Sequence, residues 1–225
     1  MRQLLDNVFW HALSGRQSAF AAGVDGARRY APGLSPIAGF ADAQRPDLDA
    51  LTPFCAPDEL LYTDGWSGSV TAGWQVMLES TMFKMVWAGE LPAVDAAPEA
   101  LPLGPEHVEQ ALELVALTHP GPFGPRTIEL GDYFGLFDGS RLIAMAGERA
   151  CAGMLREVSG ICTHPQAQGH GLARRLTAKL VRRQMLRGET PFLHVMRSNE
   201  GARALYRRMG FVEYRESVVR VIRRS

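Results

Sequence analysis

Cysteine is scarce in this chain: three residues in 225, at positions 55, 151 and 162. Their wide spacing offers neither a metal-ligand pattern nor a disulfide framework, so no metal is expected and a reducing cytoplasm fits. No apolar run is long enough to cross a bilayer, and no membrane partner is expected. The first residues, Met1-Arg2-Gln3-Leu4-Leu5-Asp6-Asn7, carry an early acid and lack a long apolar core, which argues against a secretory signal. Net charge is missing too, at a formal zero. What is present, 46% hydrophobic and 21% charged residues, is the composition of a soluble globular protein and excludes a disordered one.

The zero conceals a division. Residues 151–225 hold 14 Arg and 1 Lys against 5 Glu, a charge of +10, and residues 1–150 carry the balancing −10. A basic segment suits an anionic partner, either nucleic acid or a polyphosphate cofactor. Many of the arginines (Arg174, Arg175, Arg182, Arg183, Arg187) fall on one helix, where a solvated outer face explains them equally well. The segment lacks aromatic–basic interleaving, a helix-turn-helix and a zinc module, which sets nucleic acid aside.

An Ala- and Pro-rich stretch over 91–105 reads as a boundary. Before it, the spacing predicts a helix over 7–13, short helical turns near 48–51 and 57–60, a strand over 60–63, and two apolar strands over 74–78 and 82–87. After it come a short strand near 100–103 and a helix over 105–118 that opens on Pro105 with Glu106 and Glu109 in its first turn. Asp138-Gly139 is a hairpin signal between strands over 133–137 and 142–148. A third strand over 156–163 is followed by a helix over 172–187, a strand over 192–196, a helix over 199–209 and a final pair of strands over 211–214 and 218–222.

Residues 158–178 organise this order. A strand runs into His164-Pro165, then a glycine-bearing turn, then a basic helix. Glycines let backbone approach a phosphate, and the first amides of a helix face an anion with the dipole behind them. The turn fits Gln/Arg-x-x-Gly-x-Gly/Ala in two registers, on Gln166, Gly169 and Gly171 and on Gln168, Gly171 and Ala173. It is not a P-loop, since no Gly-Lys-Ser/Thr is present. It is not a Rossmann fingerprint, since residue 174 is Arg where Gly is required.

A second constellation, Asn199-x-x-Ala202-x-x-x-Tyr206-x-x-x-Gly210-Phe211, raises the specificity. Asn199 and Ala202 lie on the first turn of a helix, with Tyr206 one turn beyond Ala202 on the same face. Together the hairpin, the third strand, the turn and this helix resemble the GNAT superfamily of acetyl-CoA-dependent N-acyltransferases over roughly residues 97–225. The run Ser159-Gly160-Ile161-Cys162-Thr163-His164-Pro165 also looks like the branch with glycine N-acyltransferase-like members.

The resemblance implies an α/β fold with a mixed, mostly antiparallel sheet flanked by helices. It implies acetyl-CoA as cosubstrate, without metal, and a small primary amine as acceptor. Ile161, Cys162 and Thr163 would run beside the pantetheine arm, with Ile161 and Thr163 offering backbone groups. The amides of Gln168, Gly169, His170, Gly171, Leu172 and Ala173 would hold the pyrophosphate. Asn199 and Ala202 would face the pantetheine, and Tyr206 would protonate the leaving thiolate. A phenol is protonated at neutral pH and can donate. For Glu157 two readings stand: general base for the amine, by its place on the strand face of Ser159, Ile161 and Thr163, or a carboxylate paired with Arg156 or Arg149. Glu148 is a second candidate base, and His194 reads as structural.

The chain is therefore expected to form an N-acetyltransferase domain over 97–225, preceded by an α/β segment over 1–96. That segment is expected to be a degenerate copy of the same fold, extending the sheet or covering the acceptor pocket. The main rival is a non-catalytic acyl-CoA sensor or scaffold, and a homodimer stays open.

Overall fold

The computed structural model describes residues 2–225, and glycines and caps end its elements where the sequence places them. The first third holds helices α1 (Arg2–Asp6) and α2 (Val8–Leu13), strands β1 (Ala21–Val24), β2 (Ala27–Tyr30) and β3 (Ala38–Phe40), a helical turn α3 (Leu48–Leu51), and strands β4 (Leu60–Asp64) and β5 (Trp74–Trp87). Then follow β6 (Leu101–Pro102), α4 (Val108–Thr118), β7 (Tyr133–Asp138), β8 (Arg141–Ala152), β9 (Leu155–Thr163), α5 (Leu172–Leu186), β10 (Thr190–Met196), α6 (Glu200–Met209) and β11 (Phe211–Arg224). The β7–β8 turn closes on the pair Asp138 and Arg141, with Gly139 at φ 57°, a left-handed position that glycine occupies without strain. Helix α6 starts where the Asn199 side chain accepts from the Ala202 amide at 3.1 Å and stops at Gly210, φ 117°.

Eight strands form one sheet in the order β4-β11-β5-β10-β9-β8-β7-β6, and β1-β2-β3 form a small sheet of their own. Helices α5 and α6 cover one face of the large sheet, where Leu176, Leu180 and Tyr206 pack with Phe134, Val158 and Val195. Alternation sends Tyr133 to the other face, where it packs under α4 with Leu114 and Met145. Phe9 of α2 and Tyr30 of β2 share a core with Met82, Val86 and Phe192 of the large sheet.

The first segment is expected to extend the sheet or cover the acceptor pocket; its strands β4 and β5 are members of the large sheet, with β5 between β11 and β10 and β4 beside β11. A buried ion pair ties the segment down further: Lys84 Nζ lies 2.6 Å from Asp64 and donates to the Leu5 carbonyl at 2.8 Å. Two expectations change. The strands foreseen over 74–78 and 82–87 are one, because the polar gap is bridged by cross-strand pairs to β11: Arg220 Nε donates to Glu79 at 2.7 Å and Thr81 Oγ1 to Glu216 at 2.6 Å. The final two strands are also one, with a bulge between Glu213 and Arg215 that shifts the alternation and hides the continuity.

The neighbours β9 and β10 are the parallel pair expected from the helix between them, and they pair only from Leu155 opposite Thr190 to Glu157 opposite Phe192. Beyond Glu157 they part. On the other side β9 remains joined to β8 with a register shift at Gly160, φ 61°. Close packing beside this shift admits no extra atom: a Cβ at Gly147 would lie 2.1 Å from the Tyr133 ring. Gly147→Ala is therefore expected to destabilise the fold by about 1–3 kcal/mol. Denaturant unfolding reads it, and an unchanged midpoint would contradict this contact.

Candidate active site

Where β9 and β10 part, a cavity of about 480 Å³ opens. It runs from Gln168 at the glycine turn, past Ile161 and Thr163 of β9, Asn199 at the cap of α6 and Ala202 and Tyr206 within it, to Phe9, Tyr62 and Met82 of the first segment. Each part follows from local structure. Parting leaves one edge of β9 without a strand partner beyond Glu157, so backbone groups of residues 159–163 on that side lack a ladder partner, and the Thr163 carbonyl accepts from Gln168 Nε2 at 3.4 Å. The Thr163 hydroxyl is buried with no hydrogen-bond partner.

The glycine turn has the open backbone geometry that an anion cradle requires. Gly169 and Gly171 sit at φ 83° and 73°, and a Cβ on either would meet nothing within 4 Å. Gly171 caps α5 with no side-chain bond, so the first turn of a 15-residue helix presents its amides outward. Leu172 and Ala173 are the first residues of that helix. His170 is exposed, with Nδ1 3.3 Å from the Ala167 carbonyl. Among the described residues no group of three or more His, Cys, Asp and Glu could hold a metal ion, and no helix is long and apolar enough to cross a membrane.

Tyr206 is buried, packs edge-on to Phe211 at 6.0 Å and lines the cavity. Burial pushes its phenol above the ordinary range, so it stays protonated. Asn199 lines the cavity while its side-chain oxygen caps α6. Cys162 turns into the core under α4, and burial pushes its thiol up to about 11.

Glu157 is placed differently from the role of base. It is fully buried, and both carboxylate oxygens are taken. Arg149 donates through Nε at 3.0 Å and Nη2 at 2.6 Å, the Ala150 amide at 3.1 Å, and His194 Nδ1 lies 2.7 Å from Oε1. Burial alone would raise the carboxyl, but Arg149 and His194 outweigh it and hold it well below the usual carboxylate range. Of the two sequence readings, the geometry is that of the ion pair with Arg149; Arg156 pairs instead with Glu189 at 2.9 Å. Glu148 is buried as well and accepts from Gln184 at 3.1 Å and from Arg187.

His194, which reads as structural in the sequence, stands at the cavity. It lines the cavity with a side chain only 6% exposed, stacked on Phe9 at 5.2 Å. An ionised carboxylate can only accept, so Nδ1 carries the hydrogen towards Glu157. Nε2 is buried and has no hydrogen-bond partner among the described residues. A carboxylate that fixes the tautomer of a histidine makes the other nitrogen a proton acceptor. The signal lay in alternation: His194 shares a strand face with Phe192 and Met196, and the parting of the strands, which a sequence does not display, puts that face at the cavity.

The chain matches the model of the FR47-like protein family over residues 133–221, a span holding the hairpin, β9, the glycine turn and the Asn199–Tyr206 helix. No curated protein matches it. Among solved structures it is similar to a GNAT-family protein from Novosphingobium aromaticivorans, with 31% identity, 98% of each chain covered and a TM-score of 0.90. A GCN5-related N-acetyltransferase-like protein from Streptococcus suis is 14% identical, with 97% of this chain and 92% of that one covered and a TM-score of 0.61. A GCN5-related N-acetyltransferase from Kribbella flavida is 16% identical, with 99% and 94% covered and a TM-score of 0.59. These two share the fold. None of the three carries the finer resemblance to the glycine N-acyltransferase-like branch. Identity of 31% along nearly the whole of both chains, on an acyl-CoA N-acyltransferase fold, means that this chain belongs to the GNAT superfamily.

Proposed function

We propose that the protein transfers an acetyl group from acetyl-CoA to a primary amine by direct attack, with Tyr206 as general acid and His194 as general base. The observation that carries this reading is one cavity that joins the anion cradle at Gln168 to Tyr206 and His194. Residues 168–173 would hold the pyrophosphate on their amides. Ile161 and Thr163 would hold the pantetheine arm through the open edge of β9, and Asn199 and Ala202 would flank it. The cosubstrate supplies an acyl group already activated as a thioester.

The chain's own work is orientation and proton movement. The free amine forms the new C–N bond as the C–S bond breaks. His194 Nε2 takes the proton released from nitrogen, and the Tyr206 hydroxyl gives its proton to the departing sulfur. Glu157 holds the His194 ring in the accepting tautomer and stabilises the imidazolium that forms; Arg149 holds Glu157. Direct attack is favoured over transfer through Cys162, because a thiol raised to about 11 supplies little thiolate at neutral pH. The rival, a sensor that binds acyl-CoA without turnover, leaves the buried, unpartnered Nε2 without a purpose.

Initial rates with acetyl-CoA and amine varied together test this. The expected result is amine-dependent release of free CoA with intersecting, sequential kinetics. Parallel lines would indicate a covalent enzyme intermediate, and absence of release with every amine would favour the sensor. The cradle makes its own prediction. Gly171→Val forces a β-branched residue to φ 73° and fills the open space. It is expected to raise KM for acetyl-CoA about tenfold and to leave the KM for the amine in place.

A further inference from the structure

The end of the cavity beyond His194 is built almost entirely by the first segment. Phe9, Ile37, Tyr62, Leu78 and Met82 line it, with Val219 of β11. Phe9, Ile37, Met82 and Val219 are buried, so these walls are fixed by the core, whereas Leu78 is 51% exposed and stands at the open side. The polar side chains at this end are the Tyr62 and Ser159 hydroxyls, the buried and unpartnered Thr63 hydroxyl, and Arg149.

Among the described residues no Asp or Glu lines the cavity. The one permanent charge on its walls among the described residues, Arg149, is already compensated by two hydrogen bonds to Glu157. A second ammonium on the acceptor would lose its water here and find no anion. A carboxylate would find a guanidinium whose charge is already balanced. Burying an unpaired charge is unfavourable, while apolar surface gains by leaving water. The same lack of acid favours the neutral form of the reacting amine over its ammonium.

We infer, resting on the acetyl-transfer reading above, that the acceptor is a primary amine carried on an apolar, uncharged body, which the first segment encloses. Polyamines, lysine-like diamines and free amino acids are excluded by charge, whatever their length. The segment 1–96 is then the specificity element of the enzyme, since it supplies five of the six apolar side chains named at this end.

Matched pairs of acceptors test the inference, with kcat/KM read from CoA release. Hexylamine is compared with its terminal diamine, and phenethylamine with phenylalanine. The uncharged partner of each pair is expected to be the better substrate by roughly 30-fold, the cost of leaving one buried charge unpaired. Leu78→Glu puts a carboxylate at the open side and is expected to narrow the hexylamine-to-diamine ratio by about tenfold or more. Equal turnover within either pair, or a ratio unmoved in Leu78→Glu, overturns the inference. Should none of the four amines be acetylated, the melting shift with acetyl-CoA separates the failures. A shift without turnover rejects this acceptor class and keeps the cosubstrate, and no shift rejects the acetyl-transfer reading itself.

Discussion

Tyr206→Phe is expected to lower kcat about 100-fold while leaving the Kd for acetyl-CoA within about threefold of the unaltered protein. The ring that packs on Phe211 is retained, and only the hydroxyl is lost, so the core under α5 and α6 keeps its shape. Without the hydroxyl, the sulfur must leave as a bare thiolate in a site sheltered from water. Because the group acts only as charge develops on sulfur, the loss should fall on kcat and not on binding. Stopped assays paired with calorimetric binding read both quantities. Activity within about threefold of the unaltered protein would remove Tyr206 from the chemistry, and a parallel loss of binding would make it a packing residue.

The second large effect belongs to His194. His194→Gln is expected to lower kcat/KM for the amine about 1,000-fold, with acetyl-CoA binding and melting temperature little changed. Glutamine can donate a hydrogen bond to Glu157, so the buried carboxylate keeps a partner, but it cannot accept a proton at neutral pH. A structural histidine would show a different pattern, with loss of stability and of activity together. A further readout separates them: the defect should shrink with a weakly basic amine such as trifluoroethylamine, which reaches the site already neutral and asks less of a base. A defect of equal size with weakly and strongly basic amines would contradict the assignment.

Much of the fold was legible because the sequence marks its own stops. Asp138-Gly139, the Asn199 cap and Gly210 each satisfy a local requirement, and each sits where the corresponding element turns or ends. The glycine turn and the Asn199–Tyr206 spacing named the family for the same reason, since both are short-range patterns. What local pattern could not give is the meeting of distant elements. Nothing near residue 80 announces that β5 lies between β10 and β11; that follows from long-range pairing. Glu157 and His194 are 37 residues apart and meet across the parallel pair. Alternation along β9 placed Glu157 on a face, but it could not show that Arg149 and His194 already occupy both oxygens. The proposed exchange of roles between Glu157 and His194 is a small change in space, and it was invisible in sequence.

The proposed chemistry requires the cavity between β9 and β10 to be the seat of acetyl-CoA, with the glycine turn as its anchor. Calorimetric titration with CoA tests this most directly, because it asks for no acceptor and no turnover. The predicted result is one-to-one binding to the unaltered protein, weakened about tenfold in Gly171→Val and unaffected by Tyr206→Phe. No heat of binding across the micromolar-to-millimolar range, or binding that ignores Gly171→Val, would contradict it.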